Sequence, residues 1–148
     1  MIIWLASYPK SGNTWLRSLI ANYYFSETGD FNFELLEKID SFPSNKYFRK
    51  YLDKFNQPHD TSKYWIKEQE KINQSKGLKF FKTHNALCKI DGNQFTNKEN
   101  TLGVIYIIRD PRNVISSLSN HYQISVDEAF QFMTCLLYTS PSPRDRYI

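Results

Sequence analysis

The chain has 148 residues, with 19 Lys+Arg against 15 Asp+Glu for a net charge of +4, and 41% hydrophobic and 16% aromatic residues. That composition describes a globular protein with a real core. The basic residues are scattered rather than gathered into a stripe, which suits an anionic small ligand and gives no case for nucleic acid. No apolar run reaches the roughly 18 residues of a membrane span, so no stable membrane insertion is expected. Cys88 and Cys135 make no disulfide framework. Met1 leads straight into an apolar segment without a basic n-region or cleavage site, and a cytoplasmic location is the expectation.

In chain order, Ile2-Ile3-Trp4-Leu5-Ala6 is short and rich in β-branched and aromatic residues, and reads as a buried strand. Tyr8-Pro9-Lys10-Ser11-Gly12-Asn13-Thr14-Trp15 follows, and Trp15, Leu16, Leu19, Ile20 and Tyr23 then recur at helical spacing. Strand, tight loop and helix is the arrangement that turns backbone N–H groups and a helix N-terminus toward an anion, with Lys10 as an added point charge. The Walker pattern is absent, because Lys10 precedes Gly12 instead of following it.

Short helices are predicted over 33–39, 46–55 and 62–73, with Phe48, Tyr51, Leu52 and Phe55 on one apolar face that serves packing. Leu78-Lys79-Phe80-Phe81-Lys82-Thr83-His84 reads as a strand that delivers His84 at its end. His59 and His121 lack such context and are read as structural. Asp91-Gly92-Asn93 is a turn. Residues 102–109 form a second apolar run, read as a strand buried on both faces as in a parallel sheet. Asp110 is the expected N-cap and Pro111 the first residue of a helix carrying Val114, Ile115, Leu118 and Tyr122. Arg109, at the strand's carboxyl end, suits bidentate contact with a phosphate, and Ser117 lies two turns along the helix. Pairing of Arg109 with Asp110 or Asp127 is the structural alternative. Ser125-Val126-Asp127-Glu128 is a capping box opening a helix to about Met133.

Three segments together resemble the sulfotransferases that use 3′-phosphoadenosine 5′-phosphosulfate (PAPS). The Tyr8–Trp15 loop is similar to the family's 5′-phosphosulfate loop. Arg109-Asp110-Pro111-Arg112-Asn113-Val114 with Ser117 is similar to its 3′-phosphate segment, and Phe81-Lys82-Thr83-His84 to the segment of its catalytic base. The resemblance implies a three-layer α/β/α domain with a central parallel sheet, P-loop NTPase-like. It implies donor contacts from Lys10, Ser11, Gly12, Asn13, Thr14, Trp15, Arg109 and Ser117, with Trp15 stacking on the adenine. It implies Lys10 beside the leaving oxygen and His84 as base toward an acceptor hydroxyl or amine, with no metal. The acceptor (small molecule, lipid or glycan) and the oligomeric state are left open.

Two other readings stand beside this one. A P-loop-type kinase or nucleotide hydrolase is kept in play by Asp110, and a non-catalytic nucleotide-binding module would need neither Lys10 nor His84. The carboxyl end differs in character. Cys135-Leu136-Leu137-Tyr138-Thr139-Ser140-Pro141-Ser142-Pro143-Arg144-Asp145 looks like the translation of a sequencing-library adapter. The expectation is therefore that residues 1–134 are the amino-terminal part of a sulfotransferase domain, incomplete at the carboxyl end, and that 135–148 are a non-native tail.

Overall fold

The computed structural model describes residues 1–51 and 58–134. Strand β1 (Ile2–Ser7) forms where the first apolar run was read, and α1 (Asn13–Phe25) follows the loop. A 3₁₀ turn over Phe33–Lys38 leads to the short strand β2 (Asp40–Ser41) and helix α2 (Asn45–Phe48). Helices α3 (Pro58–Ser62) and α4 (Trp65–Gln74) come before β3 (Lys79–Thr83). The hairpin β4 (Lys89–Ile90) and β5 (Asn93–Gln94) precedes β6 (Thr101–Ile107), and helices α5 (Pro111–Tyr122) and α6 (Val126–Thr134) end the described chain.

Four strands make one sheet in the order β2-β3-β1-β6, every pairing parallel. Side chains alternate along a strand, and β1 shows the consequence. Ile2 and Trp4 pack with Phe42, Phe48, Trp65, Phe81 and Phe95 on one face, where α2 and α4 lie. Leu5 packs with Ala21, Ile39 and Phe80 on the other, where α1 and the 3₁₀ turn lie. Helices on both faces of a parallel sheet give the three-layer α/β architecture expected from the sequence. A third cluster, Val114, Leu118 and Ala129, joins α5 to α6.

Polar ties hold the layers in place. Arg17 donates to the carbonyls of Leu36 (2.8 Å) and Ile39 (2.7 Å), pinning α1 to the segment before β2. Buried Glu68 on α4 accepts from Lys50 (2.6 Å), Lys71 (3.0 Å) and the Tyr51 hydroxyl. Burial alone would raise its pKa, but these bonds outweigh that and hold the carboxyl below its usual range.

Several local expectations match. Asp110 Oδ1 accepts from the Arg112 N–H at 2.9 Å, an N-cap with Pro111 behind it. Ser125 and Glu128 bond reciprocally (2.8 and 3.2 Å), completing the capping box. Asp91 and Gly92 both have positive φ (50° and 79°), as a tight two-residue hairpin turn between β4 and β5 requires.

Others are corrected. The helix read over 62–73 is α4, which begins three residues later, and α3 is a separate short helix ahead of it that the pattern does not announce. The helix read over 46–55 is a single turn, α2, within the described chain. Phe48 is buried and Tyr51 packs beside it, whereas Leu52 and Phe55 lie outside the described residues.

The larger correction concerns β6. It is parallel, as read, but among the described residues it is an edge strand, with Leu102 58%, Val104 55% and Tyr106 64% exposed. An apolar run marks a strand able to be covered on both faces; it carries no signal of whether a neighbour is present. An open edge without a charged residue is a template for association. The protein of residues 1–148 should therefore show light scattering that grows with concentration, and Val104→Lys, which places a charge on that edge, should reduce it. Scattering equal in the two proteins would show that β6 is not the contact.

Candidate active site

Because the strands are parallel, the carboxyl ends of β1, β3 and β6 share one edge of the sheet. The chain leaves β1 for β3 on one side and later returns to β6 on the other. Such a switch point opens a crevice above the central strand. A cleft of about 640 Å³ is found there, lined by Lys10, Gly12, Asn13, Thr14, Trp15, Lys82, His84, Arg109, Ser117 and His121 among others. Residues far apart in sequence are thus brought to one place by the crossover connections.

The first wall is the loop between β1 and α1. Lys10 and Gly12 both take positive φ (64° and 99°). A Cβ on Gly12 would meet nothing within 4 Å, so the glycine answers to the turn's conformation and not to crowding. Gly12 caps α1 with no side-chain hydrogen bond. The N–H groups of the first helical turn have no partner within the helix and remain available to an anion.

Not every loop residue faces the cleft. Ser11 is buried, its N–H donates to Tyr8 O at 3.3 Å, and it is not among the lining residues. The Asn13 side chain turns inward and donates to Leu5 O (2.8 Å) and Ser7 Oγ (3.1 Å), fastening the helix start to β1. Its amide NH2 is therefore committed to the scaffold, while its Oδ1 is buried without a hydrogen-bond partner. Trp15 has the opposite disposition: it is 71% exposed and lines the cleft.

His84 sits just past β3. Its Nδ1 lies 2.7 Å from the Ser7 carbonyl oxygen, which can only accept, so Nδ1 carries the hydrogen and Nε2 keeps the lone pair a base needs. Burial, reinforced by Lys82 and more weakly by Arg17, pushes its pKa down to about 4, against the raising effect of the Ser7 bond. The imidazole is neutral throughout the physiological range. Asn13, Ser7 and His84 form one hydrogen-bonded chain linking α1, β1 and the end of β3.

Arg109 closes the opposite wall. The alternative of pairing with Asp110 does not occur. Asp110 is taken by Arg112 (2.6 Å), while Arg109 Nη1 donates to the Lys10 carbonyl at 2.9 Å. The Tyr8–Trp15 loop and the segment opening at Arg109 are therefore in direct contact. Ser117 lines the same cleft from α5.

Five lining residues are not among the expected site residues: Pro9, Ser18, Lys82, His121 and Tyr122. Lys82 was noted only as part of its segment, although positions 82 and 84 share a strand face. His121 was read as structural, yet it lines the cleft one helical turn beyond Ser117, edge-on to Tyr122 at 4.8 Å. The spacing of 117 and 121 was the available signal. The side chain of His59 lies outside the described residues.

Taken together, a parallel sheet flanked by helices, with the Lys10 loop at its switch point, defines an α/β domain consistent with a P-loop-like fold. The family model described as the sulfotransferase domain matches residues 2–140, and the chain belongs to that family. Neither the curated proteins nor the solved structures contain a match to it. Among the described residues, no helix is long and apolar enough to cross a membrane.

Proposed function

We propose that the protein transfers the sulfuryl group of PAPS to an acceptor, with Lys10 and His84 as its catalytic residues. The observation that carries this reading is the convergence of the Lys10 loop, His84, Arg109 and Ser117 on one cleft. Its volume of about 640 Å³ lies within the range of small-molecule sites. The donor's chemistry fits these residues: open helix N–H groups and Lys10 for the phosphosulfate, an exposed Trp15 ring for the base, Arg109 and Ser117 for the 3′-phosphate.

When bound, PAPS supplies an activated sulfur: the acceptor oxygen or nitrogen forms a new bond to it as the bridging S–O bond to phosphate breaks. Lys10, which lines the cleft, would meet the negative charge that builds on the departing oxygen, an interaction stronger in the transition state than before it. His84 Nε2 takes the proton that the acceptor sheds. Asn13 and Ser7 keep the imidazole in its working tautomer.

We further propose that residues 1–134 are the amino-terminal part of a longer sulfotransferase domain and that 135–148 are a non-native tail. Among the described residues, the exposure of Leu102, Val104 and Tyr106 on β6 favours the first part of this reading. Activity is accordingly measured on the product of the uninterrupted gene. That product should move ³⁵S-labelled sulfuryl from PAPS to an acceptor and leave the γ-phosphate of Mg-ATP untouched. Phosphoryl transfer in place of sulfuryl transfer would select the kinase reading.

Trp15→Ala should weaken donor binding by about 5- to 150-fold, the range for loss of a base–aromatic stack, with little cost to a fold that leaves the ring exposed. Calorimetry with 3′,5′-adenosine bisphosphate reads this directly. Unchanged affinity would remove Trp15 from the adenine site.

A further inference from the structure

We infer that the Asn13 side chain is a positioning residue for His84 and not a donor contact: it holds the Ser7 hydroxyl so that the hydroxyl hydrogen points away from the imidazole. The inference deepens the sulfuryl-transfer reading and rests on it for its catalytic consequence. Asn13 is the first residue of α1, and its side chain is only 4% exposed and turned onto β1. Any donor contact at this position falls to its backbone N–H, one of those the helix itself leaves without a partner.

The amide has one possible orientation. The Leu5 carbonyl accepts and cannot donate, so the atom 2.8 Å from it is the NH2 nitrogen. The second hydrogen of that group goes to Ser7 Oγ at 3.1 Å. Ser7 Oγ also lies 3.3 Å from His84 Nδ1, whose hydrogen is drawn to the Ser7 carbonyl oxygen at 2.7 Å. Ser7 thus flanks the ring nitrogen with both of its oxygens. One lone pair of Oγ is taken by Asn13 and the other is turned to Nδ1–H, which leaves the hydroxyl hydrogen to point elsewhere. Without the amide, that hydrogen is free to swing to Nδ1. The ring would then carry its own hydrogen on Nε2, and the lone pair a base needs would be lost.

A mere tie between α1 and β1 asks for less. The Leu5 bond alone fastens the helix start, and Asn13 Oδ1 is buried with no hydrogen-bond partner among the described residues. An amide oxygen stripped of water and given no donor destabilises a fold, so stability does not account for this side chain. What asparagine adds over serine or threonine is a second hydrogen on one atom, enough to serve Leu5 and Ser7 together. Local rules are broken in this way where a site requires it.

The test uses the full gene product labelled with ¹⁵N-histidine at neutral pH, the His84 signals being assigned by their loss in His84→Gln. The parent should show an imidazole protonated at Nδ1 and bare at Nε2. Asn13→Ala should move a measurable share of it to the Nε2–H form. It should also lower kcat by about tenfold or more, part of the 10²–10⁴ that a general base is worth. The dissociation constant of 3′,5′-adenosine bisphosphate should stay within about twofold, because the lost interaction acts on turnover and not on donor binding. Adding Ser7→Ala, which deletes the hydroxyl and keeps the carbonyl, should return the ring to the Nδ1–H form and recover part of kcat. A residue that only tied α1 to β1 would show no such rescue. Should the alanine variant not fold, Asn13→Leu removes the amide at similar volume and carries the same predictions. A parent already in the Nε2–H form, an unchanged tautomer in the variant, or no rescue would overturn the inference. So would bisphosphate affinity falling in step with kcat, the mark of a donor contact. A parent that transfers no sulfuryl group sinks the transfer reading, while the tautomer, read without turnover, still decides the part played by Asn13.

Discussion

Replacing Lys10 by alanine should lower kcat for sulfuryl transfer by about 10²–10³-fold, the usual cost of removing a donor aimed at developing negative charge. The fold should not change. Lys10 has φ 64°, a left-handed conformation whose strain an alanine shares equally. Its carbonyl would still accept from Arg109 at 2.9 Å, so the contact between the two walls survives. The effect should therefore fall on turnover while circular dichroism and thermal unfolding match the parent. Near-normal kcat would mean that the lysine only helps bind the donor, and the loss would then appear in the dissociation constant of 3′,5′-adenosine bisphosphate.

His84→Gln should cost about 10²–10⁴-fold in kcat/KM, the span of general base catalysis. The parent enzyme's pH profile supplies an independent readout. In the free protein the imidazole titrates at about 4, so the acid limb of kcat/KM should break near that value instead of near 6.5. Activity is present above the break and lost as pH falls through it, and the Gln variant should lack this limb. The same shift has a consequence for stability. The unfolded histidine binds a proton near 6.5 and the folded one not until about 4, so acidification across that window favours the unfolded chain. His84→Gln should flatten this part of the stability curve. A parent profile breaking near 6.5, with Gln turnover intact, would assign the proton to another group.

Much of this was legible in the sequence because the informative residues act locally. The strand–loop–helix at Ile2–Phe25, the Asp110 cap, the Ser125–Glu128 box and the Asp91-Gly92 turn are all set by neighbours a few positions away. The grouping of His84 with Lys10 and Arg109 followed from the family resemblance, and the parallel crossovers are its physical cause. What the sequence concealed depends on partners distant in the chain. The inward turn of Asn13 needs the Leu5 carbonyl and Ser7 hydroxyl, and the place of His121 needs the docking of α5 across the crevice. The exposure of β6 depends on what lies beside it, which its own composition does not encode. Hydrophobic pattern also missed the break near Tyr64 between α3 and α4, and the side chains of separate short helices converge on Trp4 and Phe42.

The most direct test of the account is calorimetry on the full gene product, titrated separately with 3′,5′-adenosine bisphosphate, with 5′-AMP and with Mg-ATP. The account predicts one site for the bisphosphate, markedly weaker binding of 5′-AMP, and a bisphosphate preference that Arg109→Ala largely abolishes. Mg-ATP should compete poorly. Equal affinity for 5′-AMP and the bisphosphate, or tighter binding of Mg-ATP than of either, would contradict a cleft built for PAPS.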